Sequence, residues 1–168
     1  MKISLLCPRL LVIACSVACS VVCSPGCGGP SAPKYVSGLP ADYATTFKQV
    51  RPCRSSTEHN LDNVTVFTDD AAYIPYTGRM EPFPTGAVVV KPEYDIDDTD
   101  CSGNIIQWTV MVKLDNGTSP LTNDWRWQRI FADKKVVTQD DRNCINCHAD
   151  CTDYGYAFTC SAPPAPGQ

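Results

Sequence analysis

The sequence predicts an α+β domain of predominantly β character, with an antiparallel sheet and a few short helices. The strongest signal is the segment 105–114, in which every second residue is a large apolar one. The turn residues Asp115-Asn116-Gly117 follow, and the alternation resumes across residues 125–131. Helical signals are fewer and shorter than strand signals, so the sheet is expected to form the body of the domain.

Two further strands are predicted ahead of this pair. The first includes Val64, Val66 and Phe67, and the second runs from Ala87 to Lys91, a β-branched run introduced by the turn residues 84–86.

Helices are predicted in three places: from Asp42 to Val50 after Pro40, from Asp69 to Tyr73, and from Thr138 to His148. In the third, Thr138 with Asp141 three residues later resembles an N-terminal capping pair. The acidic pair at 140–141 also suits a helix start, where the helix dipole favours negative charge.

The length of 168 residues accommodates one ordinary domain with flanking segments. We divide the chain into an export signal (1–27), a flexible linker (28–39), a folded domain (40–160) and a disordered tail (161–168). Without the first 27 residues, 12 basic residues remain against 18 acidic ones, a net charge of −6. This acidic body argues against nucleic acid as a partner.

The first segment has the features of an export signal. Lys2 and Arg9 precede an apolar run from Leu10 to Val22, which is shorter than the roughly 20 residues that span a bilayer. We therefore expect a periplasmic or extracytoplasmic protein. Cys15 and Cys27 both follow small residues, as in lipoprotein cleavage sites, so a lipid-anchored protein and a free one both stay open.

Cys144-Ile145-Asn146-Cys147-His148 has the C-x-x-C-H spacing of c-type haem attachment. Two thiols three positions apart on a helical turn can each reach one vinyl group of the same porphyrin, and His148 then faces the iron. A thioredoxin-like dithiol would need a βαβ context, and a zinc site would need two more ligands at matched spacing. The motif therefore predicts covalent haem c, with His148 as the iron ligand.

Four other cysteines follow the signal segment: Cys53, Cys101, Cys151 and Cys160. Their even number is consistent with the disulfides Cys53–Cys101 and Cys151–Cys160, although sequence alone does not fix the connectivity. The spacing of Cys151 and Cys160, around the turn-forming residues 154–156, favours the second pair.

An electron-transfer cytochrome needs a second strong axial ligand, normally Met or His. The candidates are Met80, Met111 and His59, and each of these residue types is more often structural in such a position. An iron with an open position is therefore the alternative to a simple electron carrier.

Several segments in fixed order resemble the cytochrome P-460 family, which also contains the cytochromes c′-beta. The resemblance covers about residues 38–160, and its most specific part is the strand Gly86 to Lys91 ahead of the haem motif. The matching segments are Pro40-x-x-Tyr43, Val64 to Phe67, Asp69 to Tyr73, Phe83 to Lys91, Val110 to Lys113, Asp124-Trp125-x-Trp127, and the haem motif followed by Asp153 and Phe158.

The resemblance implies a β-rich homodimer whose iron is bound by protein on one face only. In the enzymes of the family, the lysine at the position of Lys91 is joined covalently to the haem edge, which gives Lys91 a catalytic and cofactor-binding role. Those enzymes oxidise hydroxylamine toward nitrous or nitric oxide and pass electrons to a small redox protein. In the c′-beta branch the open iron binds nitric oxide or carbon monoxide without turnover.

This sequence departs from the enzymes directly after Lys91. Pro92 stands where the enzymes continue with an acidic residue, and Glu93 comes one place late. A proline constrains the residue before it, so the direction of Lys91 is the feature that decides between the two branches.

Overall fold

The computed structural model describes residues 35–79, 82–152 and 157–160. The chain divides into two units, residues 1–33 and 34–168, and all described residues belong to the second. The predicted export signal, the linker up to residue 34, Met80, the turn at 154–156 and the C-terminal tail lie outside the described residues.

The fold is an antiparallel six-stranded sheet whose strands lie side by side in chain order. This confirms the predicted α+β, predominantly β class. The strands are β1 (Lys48–Ser55), β2 (Asn63–Thr68), β3 (Val88–Tyr94), β4 (Ile105–Lys113), β5 (Trp125–Phe131) and β6 (Val136–Gln139).

The helices in the described residues are short. They are α1 (Tyr43–Thr46), α2 (Asp70–Gly78) and α3 (Arg142–Ala149), with one-turn 3-10 helices at Thr57–His59 and Pro120–Thr122. No helix in this part of the chain has the length and apolarity to cross a membrane.

The first predicted helix is wrong beyond its opening turn. Helix α1 ends at Thr46, and residues from Lys48 onward form the edge strand β1, where Lys48 lies opposite Thr68 of β2. The side chains of β1 are mostly exposed, so the strand carries no apolar alternation that a sequence pattern could reveal. Pairing with β2 therefore overrides the local helical signal.

The third predicted helix begins too early. Residues from Val136 to Gln139 form β6 against β5, and Asp140 has a φ of 52°, which separates the strand from the helix. Helix α3 starts at Arg142, and the Asp141 side chain accepts a hydrogen bond from the backbone N–H of Asn143 at 2.8 Å. Asp141 alone is therefore the N-cap, and the predicted role of Thr138 is wrong.

The second predicted helix is present and longer than expected. Asp69 caps α2 by accepting a hydrogen bond from Ala72 N–H at 2.8 Å, and the helix continues to Gly78. Both capped helices, α2 and α3, contribute to the same side of the sheet, because Ala72 and Tyr76 of α2 and Cys144 and Ile145 of α3 pack in one apolar cluster.

The sheet has a core on each face. One core contains Val66, Val89, Met111 and Trp127 together with the residues of α2 and α3. The other lies under α1 and the segment before it. On that side Gln128, which is buried, donates to Val36 O at 2.7 Å and accepts from Gly38 N–H at 2.7 Å, which fixes residues 36–38 against the sheet.

The described residues contain two disulfides, Cys53–Cys101 and Cys151–Cys160. The first joins β1 to the loop after β3, and the second joins the end of α3 to the C-terminal described segment. Both pairings agree with the ones favoured from the sequence. Cys144 and Cys147 stay as free thiols.

Candidate functional site

Helix α3 presents the three residues of the C-x-x-C-H motif. The Cys144 side chain is half-buried, Cys147 is exposed, and His148 is 9% exposed. Burial raises the pKa of the Cys144 thiol, with the nearby Asp141 charge adding to it. The Cys144 thiol is therefore protonated, and neither Cys144 nor Cys147 is in a disulfide.

The His148 ring is held by its surroundings. Its Nδ1–H donates a hydrogen bond to the backbone carbonyl of Phe158, and its ring centroid lies 5.7 Å from that of Trp127. Burial lowers the pKa of His148 to about 4, so the imidazole is neutral near pH 7. A neutral imidazole that donates through Nδ1 presents Nε2 as a lone-pair donor, which is the form that binds a metal.

A cavity of about 670 Å³ lies against α3 on this face of the sheet. Its volume is in the range of sites that hold small molecules and cofactors. Cys144, Cys147, His148 and Lys91 all line it. The structure thus brings together every site residue predicted from the sequence.

The register of the sheet organises the cavity wall into rows. Val89, Met111 and Trp127 lie opposite one another on β3, β4 and β5 and form an apolar row. Two residues along β3, the next row is polar, because Lys91 lies opposite Thr109 and Thr109 lies opposite Arg129. The cavity wall therefore changes from apolar to charged within one side-chain spacing.

Lys91 belongs to the cavity and Pro92 does not displace it. Pro92 stays within β3, opposite Trp108 and buried on the other face of the sheet. Lys91 is half-buried, and its Nζ lies 2.8 Å from Nε2 of His59. Burial lowers the pKa of Lys91 to about 8, a change that the Glu93 charge partly offsets.

Compared with models of known protein families, the chain matches the one described as cytochrome P460 over residues 40–159. The chain belongs to the cytochrome P460 family. No curated protein matches it. This match confirms the resemblance seen in the sequence. Members of the family are haem cytochromes, so haem is the implied cofactor.

The residues that line the cavity fit a haem, because they supply the donor groups that hold one. The cavity has two free thiols three positions apart and an apolar row beside them. It also has the His148 imidazole, which is oriented by the hydrogen bond from its Nδ1 and leaves Nε2 to bind a metal. His148 is the residue that would bind the iron, and Cys144 and Cys147 are those that would hold the porphyrin.

Among the candidates for a second axial ligand, Met111 lies buried in the apolar row, and Met80 is outside the described residues. His59 lines the cavity, but its Nδ1 lies 2.9 Å from Oε1 of Glu93 and its Nε2 faces Lys91. Both ring nitrogens of His59 are therefore engaged with protein groups.

Glu93 had no defined role in the sequence analysis, and the structure places it fully buried on the cavity wall. Its second carboxylate oxygen accepts a hydrogen bond from Gln107. Burial raises the pKa of Glu93, but the hydrogen bond and charge of His59, with the bond from Gln107, outweigh burial and leave the pKa lowered. Glu93 is thus a fixed negative charge.

Arg129 and Gln107 also line the cavity and were not identified from the sequence. The period-2 pattern of β4 and β5 was available, but it does not say which residues of the two strands lie opposite each other. Once the pairs Thr109–Arg129 and Glu93–Gln107 are known, both residues fall on the cavity face.

Proposed function

We propose that this protein is an exported mono-haem cytochrome of the c type that oxidises hydroxylamine or a related small nitrogen compound. Its porphyrin is bound by Cys144 and Cys147, its iron by His148, and its edge by Lys91. The observation that carries the proposal is that these four residues line one cavity. Electrons pass to a small redox protein, and the working form is a homodimer, as the family resemblance implies.

When bound, haem c supplies an iron with an open coordination position and an acceptor for electrons. His148 orients that iron through the hydrogen bond from its Nδ1 to Phe158. The row of Val89, Met111 and Trp127 limits water on one side of the cavity. Oxidation of two hydroxylamine molecules to nitrous oxide releases one water, four protons and four electrons, so the site also needs proton acceptors.

The Lys91 amine supports the enzyme over a gas binder because it lines the cavity directly beside the apolar row, two residues from Val89 on the same face of β3. Joining it to the macrocycle replaces one N–H and one C–H by a C–N bond. The step releases two protons and two electrons, which a peroxide would take up as it is reduced to water.

The alternative function is reversible binding of nitric oxide or carbon monoxide at the open iron without turnover. The apolar row favours it, since a small uncharged diatomic ligand needs no charged partner. This alternative requires that Lys91 stay unlinked.

Peptide mapping of the purified full-length protein distinguishes the two. Trypsin does not cut efficiently at Lys91-Pro92, so Lys91 falls in peptide 80–113, while the haem motif falls in peptide 143–168. After reduction of disulfides, we expect one haem-bearing species containing both peptides. Lys91→Ala and Lys91→Arg should each separate them, restore an ordinary c-type spectrum and abolish hydroxylamine oxidation.

Lys135→Ala is the matched control, because Lys135 is an exposed lysine on the turn before β6 and should leave the linked species intact. Separate peptides and an ordinary spectrum in the wild-type protein would refute the enzyme proposal and leave the gas binder.

A further inference from the structure

Three cavity residues form a chain of polar contacts that the proposed function does not yet use. Oε1 of Glu93 lies 2.9 Å from Nδ1 of His59, and Nε2 of His59 lies 2.8 Å from Nζ of Lys91. The order carboxylate, imidazole, nucleophile is the one that enzymes use to remove a proton from a nucleophile.

The contacts determine which way protons point along this chain. Glu93 is buried and ionised, so it accepts a hydrogen bond and cannot donate one. His59 therefore donates through Nδ1, and its Nε2 faces Lys91 as the acceptor. Lys91 has only N–H donors when charged, so its proton lies along the line to His59 Nε2.

The fold holds each member of the chain independently. Lys91 and Glu93 are two residues apart on β3 and share one face of the sheet. Gln107, opposite Glu93 on β4, binds the second carboxylate oxygen. His59 ends the one-turn helix between β1 and β2, where its N–H donates to Ser56 O at 3.1 Å and its carbonyl accepts from Asp62 N–H at 2.9 Å.

We propose that His59 is the base that takes the proton from Lys91, that Glu93 is the positioning residue that orients His59, and that the pair presents Lys91 as a neutral amine to the edge of the cofactor. This inference rests on the proposed function, in which Lys91 joins the macrocycle. An ammonium group has no lone pair, so the bond cannot form until one proton has left. The proton moves from Nζ of Lys91 to Nε2 of His59, and the electrons leave with the peroxide named above.

Burial supports the same direction of transfer, because it lowers the pKa of Lys91 to about 8 and so makes the neutral amine accessible near physiological pH. Besides His59 and Lys91, the charged and titratable residues that line the cavity are Arg54, Glu58, Tyr76, Glu93, Arg129, Cys144, Cys147, His148 and Asp150. Of these, Glu93 is the group in direct hydrogen-bond contact with His59.

The test measures the fraction of haem peptide 143–168 that is joined to peptide 80–113 in the full-length protein, by mass spectrometry. We expect His59→Gln and Glu93→Gln each to lower the linked fraction about tenfold at pH 7. Asp97→Asn is the control, since it removes an exposed carboxylate that does not line the cavity, and its linked fraction should equal that of the wild type.

Raising the pH shows whether the His59→Gln variant has lost only the base or also the structure of the site. Unlinked His59→Gln protein treated with hydrogen peroxide should form the link at pH 9.5 but not at pH 7, because solvent then removes the lysine proton. If the wild-type protein and the His59→Gln variant have the same linked fraction, the proposed proton transfer from Lys91 to His59 is wrong. The proposed function would still stand.

An unlinked wild-type protein would instead defeat the lysine part of the proposed function, and the relay is then tested by competitive acetylation of amines. The rate of Lys91 acetylation should rise with pH, with a midpoint near pH 8. In the His59→Gln variant this rate should be several-fold lower relative to that of exposed Lys135 in the same sample. Equal rates for Lys91 in the two proteins would overturn the relay.

Discussion

At the scale of residues, the site depends on a buried charge. Glu93 has no exposed surface, yet it stays ionised because His59 and Gln107 bind its two oxygens. A buried carboxylate without such partners would instead become neutral. The stability of the domain should therefore depend on pH through this group.

Glu93→Gln tests this dependence. The folded-state pKa of Glu93 lies below its ordinary value of 4.5, so its contribution to stability is present above that value and is lost as pH falls through the folded pKa. We expect the variant to be less stable than the wild type by about 2 kcal/mol at pH 7, the scale of a hydrogen bond to a charged group. The difference should shrink at pH 3.

Urea unfolding at both pH values measures the two free energies. Glu93→Asp provides the control, because it keeps the charge and should keep the pH dependence. A difference between wild type and Glu93→Gln that is the same at pH 7 and pH 3 would contradict an ionised Glu93.

Some residues of the site could be identified from the sequence and others could not. Cys144, Cys147 and His148 are adjacent, so their spacing alone indicates haem chemistry. The contact of His59 with Glu93 joins residues 34 positions apart, and no local pattern encodes it. His59 was considered only as an iron ligand, since its neighbours in space were unknown.

At the scale of elements, α3 and the Cys151–Cys160 disulfide together position His148, the proposed iron ligand. The disulfide closes a segment of nine positions that carries Phe158, whose carbonyl accepts the His148 Nδ1–H bond. The Cys53–Cys101 disulfide spans 48 positions and is away from that bond. The two bridges therefore serve as matched controls for each other.

Paired Cys→Ser variants should separate stability from ligand geometry. Loop-closure entropy predicts a loss of about 4 kcal/mol for Cys53 with Cys101 and about 2.5 kcal/mol for Cys151 with Cys160. Only the second pair should alter the absorption spectrum of the haem protein, because only it frees the Phe158 carbonyl. Chemical denaturation and optical spectra check both; a spectral change confined to the first pair would contradict this account.

The predictability of elements follows from burial. Strands β3, β4 and β5 form the middle of the sheet and were found from apolar runs and alternation. Strands β1 and β6 lie at the two edges of the sheet and carry no clear apolar alternation, and residues 48–50 of β1 and 138–139 of β6 were predicted as helix. Their identity depends on pairing with β2 and β5, which is tertiary information.

At the scale of the whole molecule, the order of strands in the sheet creates the site. Because all six strands are neighbours in chain order, residues of β3, β4 and β5 with matching alternation come into rows on one face. Helix α3 follows the last strand and returns to that face with the haem motif. The family was recognisable from the segments in fixed order, whereas the division of the cavity wall into apolar and charged rows required the register.

The proposed function depends first on covalent attachment of a haem to Cys144 and Cys147. The most direct measurement is denaturing electrophoresis of the full-length protein, matured in a host that attaches c-type haem, followed by a haem-peroxidase stain. The account predicts colour at the protein band, and no colour for the Cys144→Ser, Cys147→Ser variant. Colour that leaves the wild-type band on denaturation would contradict it.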